Sequence, residues 1–121
     1  MKTIFERNTA MWAEAGIVFR SNLVSKGGVI GLHAHSYDHV SLVTSGWFSV
    51  KEILPNGEVK EYQLAAKDFK TDNPNFTPSG YRITIPAWHK HEFTCLEGNP
   101  AEVLCMWAEG FDEETEGEDS C

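Results

Sequence analysis

Eight short runs rich in Val, Ile, Thr, Phe, Tyr and Trp recur along this chain, near residues 17–23, 29–35, 39–44, 47–54, 59–64, 81–85, 91–96 and 102–107. They are separated by Gly, Pro, Asn and Asp, and runs of that length bounded by such residues read as β-strands. No long stretch repeats apolar residues with the 3.6 period of a helix. Only residues 9–15 (TAMWAEA) have room for one or two helical turns before the first strand. Many short strands with regular turns imply a sandwich or a barrel. Pro55-Asn56-Gly57-Glu58 predicts a hairpin, because Asn-Gly supplies positive φ between two apolar runs. Gly98-Asn99-Pro100 reads as a second turn. Residues 67–79 (KDFKTDNPNFTPS) form a long polar connection, either a functional rim or a plain surface loop.

The 121 residues suit one domain, expected over residues 1–110. The formal net charge of -8 is uneven. Seven of the eighteen acids fall in residues 109–121, which hold no base, so residues 1–108 carry eleven acids against ten bases. A near-neutral body has no basic face for a phosphate backbone, which argues against nucleic acid as a partner. The acidic segment over residues 111–121 repels itself and buries little apolar surface, so a disordered tail is expected there, dispensable for any site in the body. Residues 1–16 contain Glu6, Arg7 and Glu14 and lack the apolar core of a secretory signal, and no run is long enough to span a membrane. Three Cys without a C-x-x-C pair fit a reducing, cytoplasmic setting, with a Cys95–Cys105 bridge disfavoured on that ground. Cys105 reads as core and Cys121 as an exposed thiol.

The five histidines are 33, 35, 39, 89 and 91. His33 and His35 share one face of a strand, and two imidazoles leaning together from such positions reach one metal at about 2.0–2.1 Å each. His39 returns to the same place once the strand turns. His91 comes from a distant strand, and a closed barrel makes inward faces of distant strands converge. The alternative is a set of ordinary surface or core histidines.

These residues resemble a known family. Gly27-x5-His33-x-His35-x3-His39-x6-Gly46 has the spacing of the first cupin motif, and Gly80-x5-Pro86-x-Trp88-x2-His91 resembles the second. Trp88 stands where the family usually has Gly, Cys95 where it has Asn, and His39 where most metal-binding members have Glu. The resemblance implies an all-β double-stranded β-helix, a jelly-roll barrel with a short N-terminal extension. It implies one divalent transition metal (Fe, Mn, Ni, Cu or Zn) held by His33, His35, His39 and His91, and a homodimer. Ile4, Phe5, Met11 and Trp12 are candidates to pack across its two-fold; a monomer with those residues folded back is the alternative. Four neutral imidazoles would leave the ion its full +2 charge, which favours anionic guests.

The remaining candidates line or support that site. His89 reads as an outer partner of the ligands or as a ligand itself. Trp88 is a candidate wall of the pocket mouth or a cover for a neighbouring subunit, and Tyr37 and Asp38 in the first motif either shape the pocket or sit exposed in a loop. Phe93 and Cys95 face inward with His91 by parity, Phe93 as barrel filler and Cys95 as a buried thiol or a redox group. Arg82 is either a carboxylate anchor or a solvated surface residue. The scarcity of general bases favours redox or Lewis-acid chemistry, and the resemblance implies a dioxygenase-like enzyme, with isomerase behind it, acting on a small oxygen-containing molecule. The other class is a non-catalytic cupin that binds or senses a small ligand around a structural metal. A sugar-nucleotide epimerase on the same fold ranks below both, because only Arg82 and Lys90 supply positive charge near the motifs.

Overall fold

The computed structural model describes residues 7–110 and 115–117. Eight strands follow one another: β1 Arg7–Glu14, β2 Ile17–Val24, β3 Val29–His35, β4 His39–Ile53, β5 Val59–Ala65, β6 Arg82–Ile85, β7 Lys90–Ala108 and β8 Thr115–Gly117. All strand pairs are antiparallel. Among the described residues there is no helix, so none is long and apolar enough to cross a membrane.

Two long strands organise the rest. β4 and β7 pair along nearly their whole length, from Val40↔Met106 at one end to Ile53↔Lys90 at the other. The register shifts between Val43 and Phe48, and there the ribbon folds over on itself. Gly46 makes the corner possible: its φ is +83°, and a Cβ on it would meet the Ala101 Cβ at 2.4 Å and the Glu97 carbonyl oxygen at 2.6 Å. Only a residue without a side chain permits that approach. The folded ribbon serves two sheets. In one, β1, β2, the second half of β7, the first half of β4 and β6 lie side by side; in the other, β8, β3, the first half of β7, the second half of β4 and β5 do.

The space between the sheets is filled by alternate residues of each strand. Phe48, Val50, Phe93, Ile30, Leu64, Val43, Val103 and Ile85 are fully buried there. Phe48 and Phe93 meet edge to face at 6.1 Å between ring centroids. Each such side chain contributes about 1.5–3 kcal/mol by leaving water.

Three local expectations change. Residues 9–15 extend as part of β1 against β2, because Trp12 stacks on Phe19 at 5.3 Å and the ladder satisfies backbone groups that an isolated helical turn would leave open. The runs 39–44 and 47–54 are one strand bent at Gly46, and 91–96 and 102–107 are likewise one strand. Gly98-Asn99-Pro100 is therefore no chain reversal but part of the same corner, where Gly98 also presses on Ala101. Within the tail, residues 115–117 form β8 on the edge of β3, opposite His33, Ala34 and His35; residues 111–114 and 118–121, with Cys121, lie outside the described residues. Met11 and Trp12 are exposed on β1, the end of its sheet, while Ile4 and Phe5 lie outside the described residues. The hairpin at Asn56-Gly57 forms as expected, with the Gly57 N–H donating to the Leu54 carbonyl at 2.8 Å. The 67–79 connection is pinned to the β4–β5 ribbon: the Gln63 amide oxygen accepts from Trp47 Nε1 at 2.9 Å and Thr77 N at 2.8 Å, and Phe69 and Phe76 pack on Trp47.

Gly46→Ala is expected to cost at least about 2 kcal/mol, combining left-handed strain with overpacking. Gly57→Ala, equally left-handed but with open space at the Cβ position, is the control and is expected to cost only the conformational part. Urea unfolding of the two variants checks the difference.

Candidate metal centre

The ribbon corner brings together residues that the linear register keeps far apart. His39 opens β4 in one sheet, while Glu52, thirteen residues later, pairs with His91 in the other. Thirteen extended residues span roughly 43 Å, yet the His39 and His91 rings lie 4.8 Å apart. β3 adds His33 and His35 from its inner face, and His33 is the ladder partner of His91. The His33 and His91 rings are 4.1 Å apart, His33 and His35 4.8 Å, and His35 and His39 5.2 Å. All four side chains are buried, at 0–2% exposure. One ligand nitrogen from each of His33, His35 and His91 falls within 4.8 Å of the others, and no other such metal-binding group occurs among the described residues. His39 closes the remaining side of the cluster without joining that compact trio.

Hydrogen bonds fix how the rings present themselves. His33 Nδ1–H donates to the Gly31 carbonyl at 2.6 Å, and His91 Nδ1–H to the His89 carbonyl at 2.9 Å. A carbonyl only accepts, so in each neutral ring the proton sits on Nδ1 and the Nε2 lone pair is left for a ligand. Nε2 of His91 and both ring nitrogens of His39 are buried without a hydrogen-bonding partner. Leaving a buried polar atom unsatisfied costs about 1–3 kcal/mol, and a divalent ion among these nitrogens would remove that cost. The donor set of imidazoles, with no carboxylate in the cluster, fits a transition metal and disfavours Ca or Mg.

Burial also keeps the cluster uncharged. It lowers His91 to about 3, helped by the charge that His33 would carry. It lowers His35 to about 4, assisted by His33 and then by Arg20. His39 is held well below the usual histidine range by burial and by His91. Neutral imidazoles are the form that binds metal.

The supporting residues sort clearly. Tyr37 is buried, stacked between His35 at 5.0 Å and Trp107 at 5.2 Å, with its hydroxyl 3.3 Å from His35 Nδ1. Asp38 is exposed, and its carboxylate accepts from Ala87 N at 2.7 Å, tying the first motif to the 86–91 turn. Trp88 N donates to the His35 carbonyl at 2.7 Å in the same turn. Trp88 has φ +62° and a side chain 42% exposed, so the left-handed conformation that suits Gly is kept here by a residue that pays steric strain for it. His89 is outside the ligand trio. Phe93 is fully buried and packs edge-on against His91 at 6.3 Å, as core. Cys95 is a free buried thiol pushed up to about 11 by burial, which makes it an inert filler. Arg82 is exposed and lies over Tyr81, a solvated surface residue.

Sequence reasoning missed three residues. Arg20 shares the inner face of its sheet with buried Cys105, its ladder partner, and lies near enough to His35 to lower its basicity. Glu52 is buried beside His91, and Tyr62 donates to it at 3.1 Å. A parity count along β2 could have found Arg20. The corner hides Glu52, because it sets which end of β4 meets the histidines.

No protein-family model matches the chain, and no curated protein sequence does. Solved structures do. An oxalate decarboxylase deletion mutant from Bacillus subtilis superimposes with a TM-score of 0.66 at 15% identity, over 97% of this chain and 33% of that one. An oxalate oxidase in complex with the substrate analogue glycolate gives 0.64 at 12%, over 83% and 45%. Procruciferin, an 11S globulin from Brassica napus, gives 0.63 at 11%, over 83% and 22%. This chain thus spans less than half of each of these neighbours. They are cupin proteins, and the likeness establishes the expected jelly-roll fold.

The pH dependence of the metal-free protein follows from the depressed basicities. The unfolded chain protonates its imidazoles near pH 6.5, whereas the folded protein does so only near 4 at His35 and 3 at His91. Between those values the unfolded state binds more protons, so the stability conferred by the neutral cluster is complete above about pH 6.5 and is lost as pH falls toward the folded values. Calorimetry in the presence of a chelator is expected to show the thermal midpoint falling over that window. His35→Gln is expected to flatten the slope.

Proposed function

We propose that the chain is a mononuclear metal-dependent enzyme, dioxygenase-like, acting on a small oxygen-containing organic anion. The observation that carries this reading is the buried, carboxylate-free cluster of His33, His35, His39 and His91. As ligands, all four would leave a bound divalent ion at +2, and such an ion supplies Lewis-acid and redox chemistry to an oxygen-bearing guest. The chain's own residues do the rest. The β3 and β7 ladder orients three imidazoles, Tyr37 stacks on His35 with Trp107 behind it, and Phe93 packs edge-on against His91. Arg20, half-buried on the inner face of β2, helps to keep the His35 imidazole neutral for a metal. Two of the structural neighbours are oxalate-converting enzymes, one of them holding the small carboxylate glycolate, which fits that class of guest.

A second reading has its own support: the same fold appears in the 11S globulin procruciferin, and fold does not fix function. In that case the metal centre would hold a small ligand or brace the barrel without turnover. Oxygen uptake separates the two. The protein is reconstituted in turn with Fe(II), Mn(II), Ni(II), Cu(II) and Zn(II), and offered small carboxylates, β-diketones, thiols, enediols and flavonols. Uptake with at least one redox metal, abolished in His91→Ala, is the expected result. Metal binding without uptake under any pairing would support the non-catalytic reading.

A further inference from the structure

One buried acid lies outside the histidine cluster yet is joined to it through a chain of hydrogen bonds. Glu52, 5% exposed, sits on the inner face of β4 as the ladder partner of His91, which is in turn the ladder partner of His33. One carboxylate oxygen accepts from Tyr62 Oη at 3.1 Å, and the other lies 2.6 Å from His89 Nδ1, whose N–H donates to it. The main chain of His89 reaches the cluster: its carbonyl accepts from His91 Nδ1 at 2.9 Å. His89 lies in the turn held by the bond from His89 N to the Pro86 carbonyl and by Trp88 N to the His35 carbonyl. Those two bonds place the turn, and the side-chain bond to Glu52 is a third tie on His89.

We propose that Glu52 is a positioning residue for the metal centre, gripping the His89 ring so that the His89 carbonyl holds His91 in the Nδ1–H form with Nε2 toward the ion. The inference rests on the metal-centre reading above. It differs from the usual arrangement, in which a carboxylate bonds the ligating ring directly, because here the carboxylate acts through the side chain of one histidine and the backbone of that residue on the ring of another. Tyr62 completes the anchor by fixing the rotamer of Glu52. Burial, and then the Glu52 charge, raise the Tyr62 phenol above its ordinary range, so the hydroxyl stays protonated as a donor.

Cobalt(II) is the probe, because its visible spectrum reports ligand geometry as well as occupancy. Affinity is measured by chelator competition, and the metal-free thermal midpoint is recorded in parallel. Glu52→Ala and His89→Ala are expected to weaken Co(II) binding by about 10–100-fold and to alter the spectrum. Glu52→Gln keeps an oxygen acceptor for His89 and, by turning its amide toward the Tyr62 oxygen, keeps both contacts; it is expected to stay close to wild type in affinity and spectrum. Wild-type affinity and spectrum in His89→Ala, or in a folded Glu52→Ala, would overturn the inference while leaving the metal centre standing. A loss in Glu52→Gln as large as in His89→Ala would also overturn it, since charge and not the hydrogen bond would then be what matters. Failure of the wild-type protein to bind Co(II) would overturn the metal-centre reading itself. Should Glu52→Ala not fold, His89→Ala and Glu52→Gln decide.

Discussion

Four imidazoles packed against one another inside an apolar barrel are costly unless something takes up their lone pairs. His35, His39 and His91 are held neutral, because burial and the neighbouring imidazoles oppose a proton on each. Each must also direct a nitrogen somewhere. His33 and His91 use Nδ1 on neighbouring carbonyls, which commits Nε2 to the interior. The barrel, the corner in its main ribbon and the residues around the 86–91 turn all serve to bring these four groups within about one ring's width of each other. A bound cation would resolve the conflict that the fold creates.

The corner is the mechanical part of that arrangement. A straight β4–β7 ribbon would hold His39 far from the other three. Gly46 and Gly98 close on Ala101 and let the ribbon double back, so that one strand contributes His39 to one sheet and supports His91 in the other. The proximity of the four imidazoles thus depends on a contact between backbones that carries no chemistry of its own.

Much of this was legible in the sequence, for physical reasons. Alternation of apolar residues with turn residues between them gave the strands, and His33, His35 and His91 share inward parity that no loop geometry disturbs. The spacing of the two motifs placed them on one fold. What the sequence hid is tertiary. The helical pattern at residues 9–15 lost to the pairing of β1 with β2. Gly98-Asn99-Pro100 carries turn residues because a corner needs them as much as a reversal does. Glu52 is adjacent to Lys51, and only the fold decides which of the two charges faces inward. Arg20 is a lone basic residue in a strand, a kind most often solvated, and only its parity along β2 turns it inward. Thr115–Gly117 lies in an acidic segment whose composition argues for disorder, and its backbone nevertheless finds the open edge of β3.

The central claim is that the histidine cluster is one metal-binding centre. Elemental analysis of the freshly purified full-length chain tests it most directly, read as moles of transition metal per mole of protein and compared with the His33→Ala and His39→Ala variants. The account predicts close to one equivalent in the wild-type protein and a sharp loss in both variants, because each removes an imidazole from the cluster. A wild-type protein that neither carries metal nor takes it up on reconstitution, or a His33→Ala protein that keeps a full equivalent, would contradict it.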